Sequence, residues 1–186
     1  MSGYHPRVSR ALPYQIAVLC YLFDEAGRVL LLHRCKPPNQ DLYSPIGGKL
    51  EVATGESPTA CAIREIREET GLIVDARRLH LTGIVSESAY AGESHWLMFL
   101  YELCGPVRVD RTQFREGRLE WHPPQAIDSL SIPQTDREVL WPLFWRYRGR
   151  FFAAHIDCQG DQLRWRLEQP GPDSGDGTAA GDTAKE

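Results

Sequence analysis

Apolar and polar positions along the chain follow two different periods, and the changes between them mark out the elements. Residues 14–23 are rich in apolar and β-forming side chains and read as a strand. Asp24-Glu25-Ala26-Gly27 makes a turn, and residues 28–34 return as a second strand around Val29-Leu30-Leu31-Leu32. Pro37-Pro38-Asn39 breaks that run, and a short strand over 42–46 feeds a glycine-rich loop beginning at Gly47-Gly48. From Pro58 the period becomes helical: Ala62, Ile63 and Ile66 share one side, while Glu65, Glu68 and Glu69 project together at i, i+3 and i+4. Ser57 suits the N-cap, Pro58 the first helical position and Gly71 the left-handed stop, so the spacing predicts a helix over 58–70.

The second half repeats this vocabulary. Strands are expected over 79–86 and 96–103, separated by a polar loop containing Gly92, with Gly105-Pro106 ending the second. Residues 111–118 read as a charged loop and 119–122 as a short strand stopped by Pro123-Pro124. A second helix is predicted over 133–147, with Val139, Leu140, Leu143 and Phe144 on one side. Residues 151–158 and 162–167, joined by Gln159-Gly160-Asp161, form a terminal hairpin. Beyond Pro170 no large apolar residue appears, so 170–186 is expected to be a disordered tail, as 1–12 is a loose arm. Strands mixed with two helices in this order imply an α/β sandwich, with the terminal hairpin over 149–169 as an extension.

Composition changes the picture little. A chain of 186 residues with 42% apolar and 25% charged residues supports one sizeable core. A net charge of −4 argues against a general nucleic-acid or anionic-membrane binder. No apolar run approaches the ~20 residues that span a bilayer, and Pro6, Arg7, Arg10 and Pro13 interrupt any signal-peptide core. Five cysteines without a Cys-x-x-Cys pair read as separate, mostly buried thiols in a reducing cytoplasm.

The acidic helix face is where chemistry enters. Like charges at these spacings each cost roughly 0.2–0.5 kcal/mol, and they sit toward the helix C-terminus, where the macrodipole disfavours anions. Arg64 and Arg67 relieve part of this, and a divalent cation would relieve more. A solvated charged face is the plain alternative. The segment Arg64-Glu65-Ile66-Arg67-Glu68-Glu69-Thr70-Gly71-Leu72 resembles the second half of the Nudix box, and Glu56, eight residues before Arg64, matches the earlier glutamate of that box. One departure stands out: seven residues separate Gly48 from Glu56 where the family usually has five, which places a two-residue insertion around Val52–Thr54.

The resemblance implies a Nudix-type α/β/α fold with a mixed sheet, one domain over 13–148 with the 149–169 hairpin packed on it, and cleavage of a diphosphate linkage in a nucleoside diphosphate derivative or nucleoside triphosphate. It implies Mg²⁺, with Mn²⁺ as the alternative, held by Glu65, Glu68, Glu69 and the Gly47 carbonyl. Arg64 would orient the glutamates and Glu56 would brace the loop. Glu116, just ahead of Glu120-Trp121, resembles the late glutamate that some relatives add to the metal site, and Glu120 is a weaker candidate. Gly48, Lys49 and Arg34 are candidates for meeting substrate phosphates, with His33 and Lys36 behind them. Tyr43, Tyr90, Trp96 and Phe99 could stack on a base or fill the core. A Nudix-fold module that binds a nucleotide without cleaving it is the competing reading, and such modules typically lose box glutamates that are all present here. The partner expected is a small nucleotide, with no membrane or stable nucleic-acid partner and a homodimer left open.

Overall fold

In β1 (Tyr14–Tyr21) and β2 (Val29–Arg34) consecutive side chains are apolar, so both faces of each strand need cover. The computed structural model, which describes residues 11–37, 39–160 and 162–171, supplies it from two sides. Val18, Cys20, Leu22, Leu30 and Leu32 pack with Cys61, Ala62 and Ile66 of helix α1 (Pro58–Thr70). Tyr21, Phe23, Val29 and Leu31 pack with Val139, Leu140, Leu143 and Phe144 on the opposite face. The result is an α/β/α sandwich around one mixed sheet.

The second helical segment is less regular than its periodicity predicts. Asp136–Leu140 is π-helical before α2 (Trp141–Arg146) begins, and the Trp141 N–H reaches back to the Asp136 carbonyl. Pro142 has no N–H to give the carbonyl four residues earlier, which favours a widened turn there.

The sheet continues through β3 (Tyr43–Lys49), β4 (Leu79–Tyr90), β5 (Ser94–Leu103), β6 (Gln113–Phe114), β7 (Gly117–His122), β8 (Phe152–Asp157) and β9 (Arg164–Gln169). Its order is β6-β7-β2-β3-β1-β5-β4-β8-β9. β5 runs parallel to β1, and β8 parallel to β4, so the terminal hairpin extends the sheet. β3 divides its pairing: Tyr43, Ser44 and Pro45 pair with β2, whereas Ile46 to Lys49 pair with β1.

Several expectations change. Gly47 and Gly48 lie within β3 rather than in a loop, because the partner strand offers their backbone a ladder that local sequence does not reveal. The predicted charged loop over 111–118 contains the β6–β7 hairpin with Arg115 and Glu116 at its tip. Gly117 makes this hairpin possible, since a Cβ there would overlap the His33 carbonyl of β2. β4 and β5 extend to a tighter turn than predicted, in which Ala89, Ala91 and Gly92 adopt φ of 54°, 51° and 69°. Of the five free cysteines, Cys35 and Cys104 are exposed. Residues 1–10 of the expected arm and 172–186 of the expected tail lie outside the described residues. Among the described residues no helix is long and apolar enough to cross a membrane.

Candidate active site

Helix α1 carries the acidic face because its ends are capped as the sequence predicts. Ser57 Oγ accepts the Ala60 N–H at 3.2 Å, and Gly71 closes the helix at φ 82° with its N–H on the Arg67 carbonyl. Within that frame Arg64 is the organising cation. Its Nε and Nη2 donate to the two carboxylate oxygens of Glu56 at 2.8 and 2.9 Å, Nη2 also reaches the Lys49 carbonyl at 3.1 Å, and Nη1 donates to Glu65 at 2.6 Å. Glu56 in turn accepts the Glu51 N–H at 2.9 Å, so it ties the loop to the helix. The Arg64 hydrogen bonds hold the Glu56 carboxyl down at about 2.

The three helical glutamates have different surroundings. Glu68 is half exposed, with only a 3.5 Å contact to Arg64. Glu65 is largely covered, and burial pushes its carboxyl up against the pull of Arg64. Glu69 is 3% exposed and its Oε2 has no hydrogen-bond partner. Burial first, then the charges of Glu65 and Glu116, drive its carboxyl well above the ordinary range, with the Gly47 N–H pulling the other way. Glu116 therefore approaches the helix from the β6–β7 tip, where Arg34 pairs with it at 3.5 Å.

A cavity of about 400 Å³ adjoins this cluster. Gly47, Gly48, Lys49, Glu65, Arg34 and Glu116 line it on the β3 side, and Glu87, Tyr90, Trp96, Thr135 and Asp136 on the β4 side. Lys49, Ala17 and Met98 are cross-strand partners, and Met98 belongs to the core facing α2, so the cavity runs along that face of the sheet. It reaches Glu65 on the other face because positions 47 and 48 carry no side chains; a Cβ at Gly48 would overlap the Glu65 carboxylate. Arg64, Glu56, Glu68 and Glu69 are not among the residues lining the cavity, and Glu68 is half exposed.

Among the described residues no three acidic, histidine or cysteine side chains close into a ready metal cage. The donor set nevertheless fits a hard cation: a buried carboxylate with an unpartnered oxygen beside two further carboxylates, with Arg64 on Glu65 and Arg34 on Glu116. Other candidates fall elsewhere. Glu120 is occupied by Tyr43, Arg118 and His122 at 2.9, 2.7 and 3.4 Å. Tyr43 stacks on His33, and Phe99 packs against the core facing α1. Tyr90, Trp96 and Lys36 do line the cavity, with the Lys49 ammonium 5.2 Å from the Trp96 ring centre. Sequence reasoning missed Glu87 and Asp136. A signal existed for Glu87, since it shares the core-facing side of β4 with Val85, where strand alternation calls for an apolar residue.

The NUDIX domain family profile matches residues 13–141. The uncharacterised Nudix hydrolase YvcI of Bacillus subtilis (strain 168) is 31% identical over 115 residues, 61% of this chain and 69% of that protein. The crystal structure of the MutT mutator protein from Bacillus halodurans shares the fold with a TM-score of 0.66 at 27% identity, covering 83% of this chain and 97% of that one. The NUDIX domain of Shewanella oneidensis NrtR, solved with ADP ribose, gives a TM-score of 0.59 at 16% identity over 77% of this chain and 92% of that one, a likeness of fold alone.

Proposed function

The chain belongs to the Nudix family and is a hydrolase of phosphorus anhydrides, and we propose that it uses Mg²⁺ or Mn²⁺ to cleave a nucleoside diphosphate derivative or nucleoside triphosphate. The carrying observation is the buried, unpartnered Glu69 oxygen beside Glu65 and Glu116. Arg64, which also holds Glu56, and Arg34, which pairs with Glu116, leave this group of carboxylates short of positive charge. Glu65, Glu69 and Glu116 would hold the cation, with Glu68 and the Gly47 backbone at the margin. When bound, a divalent cation supplies neutralisation of the diphosphate oxygens and acidifies an attacking water.

The chain's own residues do the rest. Lys49 and Arg34 line the cavity beside Glu65 and meet the substrate phosphates as cations. Arg64 holds Glu65 in one orientation, and Glu56 fixes Arg64 through two hydrogen bonds. Glu65 or Glu116 takes the proton of the attacking water as its oxygen bonds to phosphorus and the bridging oxygen leaves with the other phosphate. The free thiols suit a reducing cytoplasm, where such substrates occur.

Purified protein incubated with a panel of nucleoside triphosphates and nucleoside diphosphate derivatives, with products identified by mass, tests the reading. Turnover is expected with Mg²⁺ or Mn²⁺, none in excess EDTA, and a loss of orders of magnitude in Glu65→Gln. Full turnover in EDTA would sink the metal-dependent mechanism.

A further inference from the structure

Helix α1 ends against a cation from a distant part of the chain. Arg111, just ahead of β6, donates through Nη1 to the Glu68 carbonyl at 2.6 Å and to the Glu69 carbonyl at 3.4 Å. These are among the last carbonyls of the helix, which have no partner within it. A guanidinium there also offsets the negative end of the helix dipole, beside which the Glu68 and Glu69 carboxylates are carried. A cap of this kind needs only a cation. This one stands 43 residues beyond Glu68, on the segment that leads into the β6–β7 hairpin.

That hairpin brings the fourth carboxylate of the cluster. β7 is fixed to β2 along its length, whereas β6 is the outermost strand and pairs with β7 alone. Toward α1 the hairpin is held by Phe114, which packs on the α1-side core, and by Arg111. Glu116 at its tip stands close enough for its charge to act on both Glu65 and Glu69. Like charges push the tip away from the helix. Arg34 counters this by pairing with Glu116 itself, and so occupies a carboxylate that a divalent cation would take. Arg111 bonds to backbone carbonyls, and therefore joins the two acidic elements without taking up a carboxylate oxygen.

We propose that Arg111 is a positioning residue for the metal site, clamping the base of the β6–β7 hairpin to the end of α1 and so setting how far Glu116 stands from Glu65 and Glu69. This deepens the hydrolase reading and rests on it, since there Glu116 joins the helical glutamates around a divalent cation. Lysine at this position would keep the charge but reach less far toward the two carbonyls.

Calorimetric titration of Mn²⁺ into the metal-free full chain, without substrate, reads the site apart from turnover. Arg111→Ala is expected to weaken Mn²⁺ binding about tenfold, as when a residue that orients a ligand from behind is lost, and Arg111→Lys to recover part of it. In a Glu116→Gln background the same Arg111→Ala change is expected to cost little more, because its effect runs through Glu116. Wild-type affinity in Arg111→Ala, or an equal loss in both backgrounds, would overturn the inference. A plain helix cap would lower the melting temperature and leave the Mn²⁺ isotherm unchanged. Should Arg111→Ala fail to fold, Arg111→Lys in both backgrounds carries the same comparison. A wild type that binds no Mn²⁺ would remove the metal-dependent reading and the role of Arg111 together. One that binds Mn²⁺ and turns over substrate, with Arg111→Ala binding equally well, would remove the role of Arg111 alone.

Discussion

Gly47 and Gly48 are neighbours in β3, yet different contacts demand each of them. At Gly47, φ is +153° and an added Cβ would overlap the Val18 backbone carbonyl, which cannot give way without disturbing β1. At Gly48 the obstacle is the Glu65 carboxylate, the far end of a flexible side chain. Gly48→Ala is therefore expected to melt close to the wild type while losing about tenfold or more in kcat/KM, because Glu65 is displaced. Gly47→Ala is expected to lose stability by about 2 kcal/mol or more. Thermal melts and rates on one cleaved substrate separate the two, and equal effects on both quantities would contradict the assignment.

The element that sets the site apart from the usual box is the longer loop. Its extra length forms a short 3₁₀ turn, Val52–Thr54, with no buried side chain and with Gly55 left-handed at φ 69°. Glu56 then returns the chain to the helix through Arg64, so the brace is independent of the turn's length. Removing Arg64 would leave Glu56, whose side chain is only 10% exposed, as a nearly buried unpaired carboxylate. Arg64→Ala is expected to cost about 3 kcal/mol in urea denaturation at neutral pH. The sign of the pH dependence follows from the depressed carboxyl. Stability from Glu56 is present above the ordinary value of 4.5 and is lost as pH falls through about 2, so the deficit of the variant should shrink over that interval. A deficit unchanged down to pH 2 would deny Glu56 that role.

At the scale of the whole molecule, two cores enclose a sheet that also carries uncompensated acid. Glu87 and Asp136 titrate in the opposite sense to Glu56. Their carboxyls are raised to about 7, so the native state holds protons that the unfolded chain has released. That stability is fully present below the ordinary carboxylate range and is lost as pH rises through about 7. The metal-free protein is expected to lose roughly 3 kcal/mol per carboxyl, on the order of 6 kcal/mol for the pair, between pH 4.5 and 7.5. Asp136→Asn should flatten the slope, and denaturation at several pH values in EDTA would show it. A wild-type curve that is flat or rises over this range would contradict the burial of unpaired carboxyls.

What the sequence determined by itself is local. The bounds of α1, its caps and the spacing of Glu65, Glu68 and Glu69 were legible because helical neighbours lie three and four residues apart. The apolar runs of β1 and β2 announced strands for the same reason of short period, and the fold then covered both their faces. The division of labour among the glutamates was not legible. Identical side chains on one helix become exposed, covered or buried according to what packs on them, and Glu116 reaches them from a hairpin formed only by pairing with β2. Glu87 and Asp136 carry no motif at all, and only the fold brings β4 beside the turn before α2. Burial and charge coupling act through space between residues far apart in the chain, which is why the tertiary structure alone decided which carboxylates face the cavity and which of them hold protons.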